Sequence, residues 1–232
     1  AQGVAAPRRI VSAGGAITEI VYALGAEAEL VGVDTTSLFP AAAQKLPSVG
    51  YSRALSAEGV LSLRPTLLLH GTDAGPPAVL AQLAATRLAM ERLDIDHRIE
   101  GLLAATRRVA TLTAREAEGR RLVQRLQGDW ATATAEVAAR RAGAAAPRVL
   151  FVLSHSMAQV RIAGRDTGAD AMIRLAGGAN AFADTTGYKP LAPEAAIAAA
   201  PELILCTDQG LQAAGGVDGL LRAPGLAATP AG

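Results

Sequence analysis

Tyr51 stands in the run LPSVGYSRAL, after a glycine and before Ser52-Arg53. A phenolate is a hard anionic oxygen donor suited to ferric iron, and tyrosine is one of the side chains that ligate haem iron axially. The free phenol titrates at about pH 10. A nearby cation such as Arg53, or the ferric ion itself, would favour the anion. The competing role is an interface tyrosine packed on its own loop. His155 follows the apolar run RVLFVL within LSHSM. It is either a second donor facing Tyr51 or a hydrogen-bonded loop histidine. His70 ends an apolar run and could line a cleft. His97, in DIDHRIEG, reads as a solvated helix start among acids. Gly14-Gly15 precedes a helix, where backbone N–H groups can cradle a phosphate. The full GxGxxG fingerprint and a Walker lysine are both missing. No GxSxG elbow occurs, and Cys206 has no basic neighbour in sequence, so nothing points to nucleophilic catalysis. Glu58 and Glu194 each fall in the first turn of a helix. There they complement the helix dipole, or present one acidic knob per half of the chain.

Composition narrows the classes. The 232 residues make one large domain or two small ones, and with half of them hydrophobic they can bury a sizeable core. Lys plus Arg total 22 against 21 Asp plus Glu, a net charge of +1, which gives no electrostatic case for nucleic acid or a membrane surface. One cysteine excludes an intramolecular disulfide framework, and three dispersed histidines give no self-contained zinc site. Ala1-Gln2-Gly3 has neither a basic n-region nor an apolar h-region, as expected of a cleaved exported protein and equally of a cytosolic one.

The elements that must position these residues follow from pattern. Residues 9–13 read as a strand running into Gly14-Gly15, 18–24 as a helix stopped by Gly25, and 30–34 as a strand. Residues 56–63 read as a short helix before Pro65, and 66–70 as a buried strand. The second half restarts with a strand at 148–153, a helix at 168–176, a helix at 193–199 and a strand at 203–205. ALGAEAELVGVDTT (23–36) matches LAGGANAFADTT (175–186), and Gly50-Tyr51 matches Gly187-Tyr188. Glu58 to Pro65 and Glu194 to Pro201 share a seven-residue separation. These are two α/β lobes of similar plan.

Between them lies a charged, alanine-rich stretch without proline. Thr113 with Glu116 fits a capping box, Gly143 a stop, and Leu122, Leu126 and Trp130 one apolar face. A helix over 113–141 would be about 43 Å long. The expected plan is α/β: two Rossmann-like lobes with parallel sheets, 1–111 and 144–232, joined by one long α-helix within 112–143. Ligands of such sheets sit beyond the carboxyl ends of the strands.

The runs RIVSAGGAITEIVYALGAEAELVGVDTTSLFP and LPSVGYSRALSAEGVLSLRPTLLL, with GYKPLAPEAAIAAAPELIL later, resemble periplasmic haem-binding proteins of bacterial ABC-type haem importers. These are substrate-binding proteins of the helical-backbone class. The resemblance covers nearly the whole chain, and the GYSRALSAEGVLSLRP block is its specific part. It implies that the chain is not an enzyme but a carrier of ferric haem (protoporphyrin IX) as transported ligand. Tyr51 is then the iron ligand, His155 a possible second one, and Arg53 the support of the phenolate or of a propionate. Glu58 and Glu194 then dock the permease dimer. An upstream outer-membrane haem receptor, a monomeric state and a periplasmic mature form without its signal peptide are implied too. A cobalamin or ferric-siderophore carrier is the alternative within the class, and a nucleotide-using α/β enzyme the alternative outside it. Two departures from the family stand out. AATRLAMERLDI replaces a βα unit, and the family pattern continues beyond GLAATPAG with a further strand and helix.

Overall fold

A computed structural model describes residues 8–154 and 160–232. The chain divides between Trp130 and Ala131 into two compact units.

The first unit is a four-stranded parallel sheet. Its strands are β1 (Ile10–Ala13), β2 (Leu30–Val33), β3 (Leu67–Gly71) and β4 (Ala89–Leu93), in the order β2-β1-β3-β4. The helices are α1 (Gly15–Ala23), α2 (Ala57–Ser62), α3 (Pro77–Ala85), α4 (Ile99–Leu112) and the part of α5 (Glu116–Arg141) up to Trp130. Strand residues alternate between two cores, which is why β3 opens on the unbroken apolar run Leu67-Leu68-Leu69. Ile10, Leu67 and Leu69 pack with α1, α4 and Leu122 of α5 on one face. Val11, Ala13 and Leu68 pack with α2 and α3 on the other. Leu126 adds to the first cluster, as the apolar stripe predicts.

Two expectations are corrected here. The capping box at Thr113 does not form. Thr113 instead closes α4, its hydroxyl donating to the Val109 carbonyl at 2.8 Å, while Ala114 takes φ 52° and the Arg115 N–H reaches the Ala110 carbonyl at 2.7 Å. That is a Schellman-type ending, so the long helix starts at Glu116 and spans 26 residues, about 39 Å. The stretch AATRLAMERLDI does not replace the βα unit but builds it. α3 ends at Ala85, Arg87 turns the chain at φ 63°, and β4 pairs parallel to β3 with Leu67 opposite Ala89. β4 is an edge strand with only Leu93 buried, which is why its polar sequence hid it.

The second unit holds β5 (Arg148–Ser154), β6 (Val160–Ala163), β7 (Ala179–Asn180), β8 (Tyr188–Pro190) and β9 (Leu203–Leu205). Its helices are α6 (Gly168–Leu175), α7 (Pro193–Ala199), α8 (Asp208–Ala213) and α9 (Gly216–Leu221). β7 and β9 flank β5 in parallel, as expected; β6 and β8 extend it antiparallel, making the sheet mixed. Leu150, Val152 and Ile162 form the core with Ala196, Leu220 and Leu226. Gly50 and Gly187 both adopt left-handed backbone, φ 88° and 73°, so the Gly-Tyr pair common to the two halves marks the same kind of turn. The tyrosines then diverge, since Tyr51 opens a 3-10 turn (Ser52–Ala54) and Tyr188 opens β8. Among the described residues no helix is long and apolar enough to cross a membrane.

Candidate ligand-binding site

Beyond the carboxyl ends of β1, β3 and β4 lies a pocket of about 550 Å³ within the first unit. Four segments form its wall: 14–17 at the start of α1, 51–53, 71–73 after β3, and 93–97 after β4, with Thr36 between the first two. This is where an open parallel sheet presents loops and helix starts to a ligand. Tyr51, Arg53, Gly14 and Gly15 are brought together there, as the sequence predicts. The Tyr51 side chain is 45% exposed, so its phenol is open to a ligand instead of being packed away.

Buried Asp34 organises the α1 side of the wall. One carboxylate oxygen accepts the Gly14 N–H at 2.9 Å and the Ser37 hydroxyl at 2.9 Å. The other accepts the Thr36 N–H at 3.1 Å and the Thr36 hydroxyl at 2.6 Å. The Gly15 N–H in turn donates to Thr36 Oγ1 at 3.0 Å. A Cβ on Gly15 would stand 2.6 Å from the Thr36 carbonyl oxygen, so only glycine allows this approach. The phosphate-cradle reading of Gly14-Gly15 is therefore corrected. Both N–H groups already have partners inside the protein, and the glycines line the pocket by leaving room. The same loop reaches the tyrosine through the Thr35 N–H, which donates to the Gly50 carbonyl at 2.9 Å.

Arg53 does not point its charge at an empty site. Its Nε and Nη2 both lie 2.9 Å from Asp73 Oδ2, on the other side of the same wall. The two loops are laced by backbone bonds as well, Gly75 N–H to the Ser52 carbonyl at 3.0 Å and Leu55 N–H to the Gly75 carbonyl at 2.8 Å. His97 is exposed and lies just before α4, as read from sequence, yet it lines the pocket with Asp94 and Asp96. Arg98 pairs with Asp96 and is the chief reason that its carboxyl titrates below the usual range. Sequence reasoning missed Asp34, Asp73 and the 93–97 segment of the wall. That segment depended on recognising β4, while DTTS after a strand, with four hydroxyl or carboxyl side chains in a row, was a usable signal for Asp34.

The remaining candidates lie elsewhere. His70 is buried within β3, with Nδ1 2.9 Å from the Gly71 carbonyl oxygen, and the residues after it line the pocket instead. His155 lies outside the described residues. Glu58 is exposed in the first turn of α2, which Ser56 caps by accepting the Gly59 N–H at 3.2 Å. Glu194 is exposed in the first turn of α7, which opens on Pro193. Burial, then Asp208, pushes the Cys206 thiol up, away from the thiolate form.

The model of the family described as periplasmic binding protein matches residues 10–232. Among solved structures, a periplasmic heme-binding protein, BhuT, in complex with two hemes is 46% identical, with TM-score 0.91 over 96% of this chain and 85% of that one. The periplasmic heme-binding protein RhuT from Roseiflexus sp. RS-1 in apo form is 42% identical, with TM-score 0.90 over 97% and 86%. The vitamin B12-binding protein of Pectobacterium atrosepticum is 26% identical over 182 residues, 78% of this chain. The chain spans 64% of that relative's length.

Proposed function

This chain belongs to the periplasmic binding protein family, and on that premise we propose that it captures ferric haem and hands it to an ABC importer. The observation that carries this reading is Tyr51, an accessible phenol on the wall of a pocket at the carboxyl ends of β1, β3 and β4. The pocket supplies what a large flat ligand with an iron centre and carboxylate edges calls for. Ala16 and Ile95 give apolar surface, Tyr51 gives a hard oxygen donor, and Arg53 gives one cation. The solved relatives at 42–46% identity that are described as heme-binding support haem over other cargoes.

Haem is cargo here, and the protein's own work is to bind it and let it go. Tyr51 donates its phenolate oxygen to the iron, which itself favours the ionised form. His155 is the second candidate donor. Periplasmic location follows from the family reading. Glu58 and Glu194, exposed and without an ion pair among the described residues, are the proposed contacts to the permease dimer.

Titration with hemin tests the reading. Wild-type protein should develop a Soret band with saturable stoichiometry, and Tyr51→Phe, which keeps the ring and removes the oxygen, should weaken ferric haem binding at least tenfold. An unchanged visible spectrum and affinity in Tyr51→Phe would reject Tyr51 as the ligand. The vitamin B12-binding relative gives a second reading specific support. Saturable binding of cyanocobalamin with no response to hemin would favour it.

A further inference from the structure

Arg53 is the one lysine or arginine among the described residues lining the pocket, against Asp73, Asp94 and Asp96. Its guanidinium is engaged by Asp73 through two nitrogens on a single oxygen, each at 2.9 Å. This is not a chance meeting of loose surface chains. Backbone hydrogen bonds from Gly75 to Ser52 and from Leu55 to Gly75 hold the two loops side by side. Gly71 makes room for the carboxylate, since a Cβ there would stand 2.9 Å from Asp73 Oδ1. No other hydrogen bond to the Asp73 side chain competes for it among the described residues.

Resting on the haem reading, we propose that Asp73 is a positioning residue that restrains Arg53 and thereby limits the affinity of the pocket for its anionic ligand. Asp73 acts through Arg53. It offsets the one lysine or arginine that lines the pocket among the described residues, and so weakens the help Arg53 can give to the Tyr51 phenolate or to a propionate. A delivery protein gains from such a restraint, because a ligand bound too tightly is not released to the permease.

Four proteins test this by hemin titration: Asp73→Asn, Asp73→Glu, Arg53→Gln and the double variant Asp73→Asn/Arg53→Gln. The pair is exposed, so the expected effect is modest, about two- to fivefold tighter haem binding for Asp73→Asn at pH 7. The same release of charge should shift the acid midpoint of haem loss down by about 0.3 to 0.7 pH unit, the logarithm of that factor. Asp73→Glu keeps the carboxylate and should bind as wild type does. Most of the gain should vanish in the Arg53→Gln background, which separates an effect through Arg53 from direct repulsion. Unchanged or weaker binding by Asp73→Asn overturns the proposal, as does an equal gain in both backgrounds. A wild-type protein that gives no Soret band removes the haem reading itself, and this inference with it. Wild-type binding with an inert Asp73 removes this inference alone.

Discussion

Asp34→Asn is the sharpest test of how the pocket wall is built. The change is nearly isosteric, so its cost comes from hydrogen-bond polarity alone. Four donors converge on the two carboxylate oxygens, and two of them, the Gly14 and Thr36 N–H groups, are backbone and cannot reverse. They sit on different oxygens. Whichever way an asparagine amide turns, its NH2 meets one backbone N–H donor to donor, whereas the Ser37 and Thr36 hydroxyls can rotate. One buried backbone donor is left unpaired at about 1–3 kcal/mol, and the remaining bonds lose the strength of a charged acceptor. The sum is about 2–4 kcal/mol, a substantial part of the roughly 5–15 kcal/mol that holds a typical domain together. In urea, with a slope of about 2 kcal/mol per molar, the midpoint should fall by about 1–2 M. Hemin affinity should fall too, because the Asp34 loop holds Gly14 on the wall and reaches Gly50 beside Tyr51. A midpoint within about 0.25 M of wild type would refute the reasoning, since it would show the two N–H groups finding other partners at little cost.

The parts of this molecule legible in sequence are those where one residue type answers one physical need. β1 and β3 are buried on both faces, and with β5 they announce themselves as largely apolar runs. The left-handed turns at Gly50 and Gly187 require glycine, so the repeat between the halves survives in the letters. Tyr51 and Arg53 fall on the pocket wall as read. Illegibility has equally specific causes. β4 is an edge strand whose exposed Arg92 and half-buried Glu91 disguise it, and with β4 unseen the loop carrying Asp94 and His97 had no place at the end of a sheet. The Asp73–Arg53 pair joins residues twenty apart through loop geometry that no local pattern encodes. Thr113 satisfies the letters of a capping box, but a helix already ending there took its hydroxyl first.

Two further outcomes follow from charges outside the pocket. Arg108 of α4 holds Glu91 of β4 in a two-point pair at 2.7 and 2.8 Å, and this hydrogen bonding is the main reason that the Glu91 carboxyl titrates below its ordinary value. A depressed folded-state value stabilises above the unfolded carboxyl's range, about 4.3, and the contribution is lost as acid passes down through the folded value. Glu91→Gln should therefore cost about 1 kcal/mol at pH 7, discounted for partial exposure, and the gap to wild type should close below pH 4 in urea melts; a gap independent of pH would refute it. Reversal of charge at both Glu58 and Glu194 should leave hemin titration unchanged and cost only about 1–2 kcal/mol of stability through the two helix dipoles, while slowing delivery to a reconstituted importer. Both carboxylates are exposed and stand in helix first turns well apart in the sequence, so neither contributes to a core or to the Tyr51 pocket. Exposed charges act mainly on encounter, which salt screens over about 8–10 Å. The defect should thus be largest at low ionic strength and shrink as wild-type transport itself slows with salt. Delivery by the double reversal at the wild-type rate in low salt would refute the docking role of these two residues while leaving the haem site untouched.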